Sequence, residues 1–128
     1  MAVNAVKILK DFVEACNSEN YEKVASLFTD DCVYDDVPSG MVFHGAKEFI
    51  NFAKRYHTTF PDHKWELKSV FSSGNRIASE SVSSATFTHS DDPKMPATGE
   101  HGTLRSAEII ELRNGKIYRI TDYYHRPF

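Results

Sequence analysis

The chain lacks most of the features that mark secreted, membrane or nucleic-acid-binding proteins. Of its 128 residues only Cys16 and Cys32 are cysteines. Two cysteines make no disulfide framework, and both fall in patterned segments, so buried thiols in a reducing compartment are expected. No run of ~18 or more apolar residues is present to span a bilayer. Lys7, Lys10 and Asp11 break up the N-terminal apolar residues, which argues against a signal peptide. The formal net charge of -3 gives no excess of positive charge for nucleic acid or acidic lipid. No HxH, HExxH or CxxC spacing occurs, so no metal site is expected. A nucleophile elbow, a phosphate-cradling glycine loop and a dinucleotide fingerprint are missing too. Cofactor-free chemistry in a soluble cytoplasmic protein, with no nucleic acid or membrane partner, is the consistent expectation.

What is present is patterned. At this length one domain is expected, and about two thirds of the unfolded surface can be buried. Residues 3 to 16 repeat apolar side chains at helical spacing: Val6, Leu9, Val13 and Cys16 on one stripe, Phe12 beside it. Asn17-Ser18 interrupts, and Ser18 reads as the N-cap of a short second helix with Tyr21, Val24, Leu27 and Phe28 facing inward. Thr29-Asp30-Asp31 reads as its end. Cys32-Val33-Tyr34-Asp35 is strand-like and stops at the turn-rich segment Asp36 to Gly40. Met41 to His44 is too short to classify. Gly45 opens a third helix whose stripe is Phe49, Phe52 or Ala53, Tyr56 and Phe60, with Pro61 beyond it.

From residue 63 the period becomes two. Trp65, Leu67 and Phe71 share one face of a half-buried strand. Ser72 to Asn75 turns the chain, and Arg76 to His89 forms the next strand. There Ser79, Ser81 and Ser83 mark either a polar cavity wall or room for a covering partner. Residues 91 to 99 read as a loop. His101 to Tyr124 then reads as a long antiparallel hairpin about Asn114-Gly115, a pair that tolerates the positive backbone angles of a tight turn.

Three N-terminal helices and four long strands build an α+β fold. The strands form a curved antiparallel sheet, and the helices cover its apolar face. The result is a cone-shaped half-barrel with a filled narrow end and a cavity in the wide one. Tyr34, Phe52, Tyr56, Trp65, Phe87, Tyr118 and Tyr124 are the aromatics available to line it, with plain core packing as the other reading of each. Asp122, set between Ile120 and two tyrosines, is either a hydrogen-bonded structural group or the floor of that pocket. His101 opens the penultimate strand and His44 precedes the third helix. Histidine is a residue type suited to proton transfer or to a hydrogen bond with a substrate carbonyl, which makes His101 a candidate and His44 a second one. His57, His63, His89 and His125 read as more exposed. Val70 and Ile110, expected on exposed faces, would support an interface.

The element order and the segments LFTDDCVYDD, HGAKEFINF, PDHKWELKSVFSSGNRIASE, PATG and GKIYRITDYYHR resemble the nuclear transport factor 2-like superfamily, nearest to its SnoaL-like polyketide cyclase branch. That resemblance implies a cofactor-independent cyclase or isomerase acting on a small hydrophobic oxygenated molecule, polyketide- or terpenoid-like. It implies Asp122 as general acid/base, since GKIYRITDYY matches at Gly115, Lys116, Ile117 and Asp122. By likeness to ketosteroid isomerases it implies Asp35 as a second acid on the opposite wall. Asp36 then reads as a solvent or turn residue. The oxyanion-stabilising acid of those isomerases falls near Ala107, counted from the hairpin turn, and alanine cannot donate. The same fold serves non-catalytic binding proteins and dimeric interaction modules, and a homodimer through the outer face of the sheet is expected.

Overall fold

A computed structural model describes residues 4–88, 90, 93–94 and 96–125. Its elements run α1 (Ala5–Asn17), α2 (Tyr21–Leu27), β1 (Phe28–Asp36), β2 (Met41–His44), α3 (Gly45–Thr59), β3 (Lys64–Ser73), β4 (Arg76–Thr86), β5 (His101–Arg113) and β6 (Lys116–Tyr124). The strands form one sheet in the order β2-β1-β6-β5-β4-β3. Every neighbouring pair is antiparallel except β1 with β6, which is parallel. The α+β half-barrel read from the sequence is the fold, and the β1–β6 pair makes its sheet mixed. No helix among the described residues is long and apolar enough to cross a membrane.

The helices start where polar side chains close their open N–H groups. Asn4 caps α1 through Lys7 N. Asn20, not Ser18, caps α2, its Oδ1 accepting from Lys23 N at 3.2 Å. Ser18 instead closes the C-terminus of α1, where its hydroxyl donates to the Glu14 carbonyl. The strand β1 begins at Phe28, four residues earlier than the sequence pattern suggested, because Phe28 leaves helical geometry and packs in the core. Gly45 stands at φ +81°, where a side chain would be strained, and lets β2 turn directly into α3. Glu48 Oε1 accepts from His44 N at 2.9 Å and holds that junction.

Leu9, Phe12, Val24, Phe28, Phe49, Ile77, Ile110, Ile117 and Ile120 fill the narrow end of the cone. Phe12 is its centre, fully buried, with Phe28 edge-on at 5.2 Å and Trp65 edge-on at 5.9 Å. Burying a ring of this size contributes roughly 1.5–3 kcal/mol. The side-chain amide of Asn17 donates to Trp65 O and accepts from Trp65 N, at 2.7 and 2.8 Å, fixing the start of β3 to the end of α1.

Bulges decide which residues face the helices. In β3 the register shifts between Leu67 and Ser69, so Lys68 is the extra residue. Beyond it the faces exchange. Val70 packs on the core and Phe71, expected beside Trp65 and Leu67, is 68% exposed. A second shift lies between Glu111 and Leu112 in the β5–β6 pair. Ile110, expected on an exposed face, is fully buried.

Candidate functional site

Beyond the packed end the cone holds a cavity of about 490 Å³. One wall comes from α3. Its apolar stripe leaves the core at Phe49 and continues as a ladder of rings, Phe52 to Tyr56 at 5.9 Å and Tyr56 to Phe60 at 4.7 Å, with Phe87 beside Phe60 at 5.6 Å. The opposite wall is the concave face of the sheet, where alternation brings Tyr34 and Asp36, Asp122 and Tyr124, and Leu104, Ser106 and Glu108 inward. Exposed Glu100, His101 and Gly102 stand at the mouth.

The concave face carries an acid on each of three adjacent strands, in one row. Asp36 pairs with Asp122 across the parallel ladder, and Asp122 pairs with Glu108 across the antiparallel one. Tyrosines cross between β1 and β6 to hold the first two. Tyr34 Oη donates to Asp122 Oδ2 at 2.6 Å, and Tyr124 Oη donates to Asp36 Oδ2 at 3.0 Å. Glu108 is almost fully buried and receives Ser79 at 2.8 Å, Ser106 at 2.9 Å and Ser81. Ser79, Ser81 and Ser106 thus support a buried carboxylate, and Ser83 lines the cavity. Asp122 Oδ1 is buried and has no hydrogen-bond partner among the described residues.

The surroundings push the Asp122 carboxyl up to about 7. Burial is the main cause; the Tyr34 hydrogen bond opposes it, and the negative charges of Glu108 and Asp36 add to it. Burial likewise drives the Tyr34 hydroxyl well above its ordinary value, with the Asp122 charge next in effect. Tyr56 is raised to about 12 for the same reasons, and both phenols stay protonated at neutral pH.

Of the residues singled out in the sequence, Asp122, Tyr34, Phe52, Tyr56, Trp65, Phe87, Tyr124 and His101 line the cavity. His101 does so at the rim, with its side chain 59% exposed and Nδ1 2.9 Å from Thr86 Oγ1 and 3.7 Å from Asp62. Asp35, His44 and Tyr118 do not line it. Asp35 lies on the other side of β1, where its carboxylate accepts from Arg119 Nη2 at 2.8 Å. An extended strand cannot send neighbouring side chains to one face, so the inward turn of Tyr34 selects Asp36 and excludes Asp35. His44 is exposed at the start of α3, and Tyr118, the extra residue of the β6 bulge, lies under the Arg113 guanidinium at 4.3 Å.

Four residues that the sequence pattern placed outside the site belong to the cavity wall: Asp36, Glu108, His57 and His63. Asp36 is recoverable by counting in twos from Cys32. Glu108 takes the slot assigned to Ala107: an unbroken hairpin would put Ala107 opposite Asp122, and the bulge moves the pairing by one. His57 and His63, read as exposed, both face the cavity. Burial lowers His63 to about 4, so it stays neutral. His125 is exposed as expected, and His89 lies outside the described residues. Among the described residues no three metal-binding side chains stand close enough to hold an ion.

Comparison with known proteins agrees with this architecture. No curated protein matches the sequence. Among solved structures, AclR of Streptomyces galilaeus, a proposed hydroxylase, superposes with a TM-score of 0.80 at 17% identity, covering 98% of this chain and 91% of that one. IdmH of Streptomyces antibioticus, a proposed polyketide cyclase, gives 0.81 at 18% identity over 94% and 91%. A proposed polyketide cyclase of Xanthomonas campestris gives 0.80 at 22% identity over 94% and 90%. At these identities the likeness is one of fold. The family model of the SnoaL-like domain matches residues 9–120, nearly the whole of the fold described above, and the chain therefore belongs to the SnoaL-like domain family.

Proposed function

We propose that this protein is a cofactor-independent acid/base catalyst of the cyclase or isomerase type, acting on a small hydrophobic oxygenated molecule held in the cavity. One observation carries the reading: a carboxyl group with an unpartnered oxygen, walled by aromatic rings, whose affinity for a proton lies near neutrality. At that value both forms of Asp122 are present at pH 7. The charged form takes a proton from the carbon beside a substrate carbonyl, and the neutral form returns it to the enolate or alkoxide. Tyr34 orients the carboxyl. Tyr56, protonated and facing the same space, is the available donor for the carbonyl oxygen. Asp36 takes the place first assigned to Asp35, and His101 at the rim is a positioning residue for the substrate's outer end. The protein acts in the cytoplasm, where Cys16 and Cys32 remain thiols.

The test needs no prior substrate. A panel of polycyclic ketones and esters is incubated with the protein in D2O, and exchange of the hydrogens beside the carbonyl is followed by NMR. Faster exchange with the wild type, lost in Asp122→Asn, supports the reading. Ligands that quench Trp65 without any exchange would make the protein a binding protein of the same fold. The homodimer is part of the proposal as well: Phe71 ends an outward row with Ala78, Ile109 and Thr121 across β3 to β6. Light scattering should give twice the chain mass for the wild type and the single-chain mass for Phe71→Glu.

A further inference from the structure

The acids inside the cone are treated differently from those outside it. On the outer face Asp35 faces Arg119 at 2.8 Å, and Asp31 is paired with Arg113. Among the described residues the cavity is lined by Asp36, Glu100, Glu108 and Asp122 and by no lysine or arginine. Asp36 and Glu108 are 5% and 1% exposed. Among the described residues the hydrogen bonds to the inner row come from neutral groups: serine and tyrosine hydroxyls and the Ser39 backbone N–H. Such dipoles orient a carboxylate without cancelling its charge, and a buried charge without a counter-charge is costly. The histidines that line the cavity are engaged elsewhere. His63 is held neutral, His57 Nδ1 lies 3.2 Å from the Tyr21 hydroxyl and 4.0 Å from Glu19 Oε1, and His101 faces Asp62 at the rim.

Across from this row stand the rings of Phe52, Tyr56 and Phe60, and Trp65 and Phe87 line the same cavity. Aromatic faces are themselves electron-rich and attract cations. A cavity with acids on one wall, rings on the other and no lysine or arginine among the described residues that line it matches an ammonium group with apolar substituents. The unpartnered Asp122 Oδ1 is a further acceptor left open.

The geometry points to a hydrophobic amine, protonated or quaternary at nitrogen, as the class of molecule this cavity takes. The inference rests on the cavity being the ligand site of the proposed function, and narrows its substrate to oxygenated molecules that also carry a basic nitrogen. It does not require turnover.

The probes are phenyltrimethylammonium and its uncharged carbon isostere, tert-butylbenzene. They are titrated against the wild type at physiological salt, which screens surface attraction. Trp65, the only tryptophan, lines the cavity and reports entry by fluorescence. The cation should bind about tenfold or more tightly than the isostere. That advantage should shrink in Asp36→Asn and Glu108→Gln, whose folding is checked by circular dichroism. Equal affinities, or tighter binding of tert-butylbenzene, overturn the inference while leaving the acid/base reading intact. Cation binding that does not change Trp65 emission also overturns it, as surface association. If neither these probes nor the ketone panel enters, the cavity is no ligand site and both readings fail.

Discussion

Asp36 and Asp122 occupy paired positions on the parallel strands β1 and β6, and each is held by a tyrosine from the other strand. The Tyr-x-Asp of β1 and the Asp-x-Tyr of β6 interlock, so either carboxyl is oriented only when both strands are in register. Glu108 extends the row to β5. The fold thus gathers three acids at one wall, and their mutual repulsion adds to burial in keeping Asp122 protonated to neutral pH.

Replacing Asp122 by Asn keeps the shape and the Tyr34 contact but removes the titrating group. Ketone hydrogen exchange should fall by about 10²–10⁴-fold. The variant also has a signature in stability. The Asp122 pKa is raised in the folded state, from 3.8 to about 7, so its contribution is complete below about 4 and is lost as pH rises to about 7. Denaturant unfolding of the wild type should lose a few kcal/mol across that window relative to Asp122→Asn.

His63 works in the opposite direction. Its pKa is lowered from 6.5 to about 4 by burial, so its contribution is present above about 6.5 and lost as pH falls to about 4. His63→Phe, which keeps a ring edge-on to Tyr56, should flatten the acid side of the stability profile. An unchanged profile would mean that His63 is solvated.

Glu108→Ala leaves the hydroxyls of Ser79, Ser81 and Ser106 without their acceptor in a buried site. A loss of about 3–5 kcal/mol is expected in urea unfolding, and a smaller one for Glu108→Gln, which retains an acceptor. Glu108→Gln should also lower the Asp122 pKa, measurable by carbon-13 NMR of labelled aspartate, because a neighbouring negative charge is gone.

Phe12→Ala opens a void among Phe28, Phe49 and Trp65 and should cost about 3–5 kcal/mol. Asn17→Ala should cost about 1–3 kcal/mol by leaving the half-buried backbone of Trp65 without its side-chain partner, and should change Trp65 emission. The first variant should leave the relative affinities of cavity ligands unaltered, and the second should shift them.

Local pattern alone determined much of this protein. The helical spacing of Leu9, Phe12 and Val13, the alternation from Trp65 onward, and the turn at Asn114-Gly115, observed at φ +53° and +76°, each report a property of a few consecutive residues. Together they specified the half-barrel, and Asp122 was visible as an acid amid apolar neighbours. Tertiary structure decided the rest. The bulges at Lys68 and Tyr118 insert one residue each, and one residue is enough to exchange the two faces of a strand. That is why Phe71 turned outward and why Glu108 stands where Ala107 was expected. The parallel pairing of β1 with β6 joins segments more than eighty residues apart, so nothing local could show that Asp36 would meet Asp122. Periodicity records which side chains share a face, but extra residues and long-range pairing decide which face becomes the wall of the cavity.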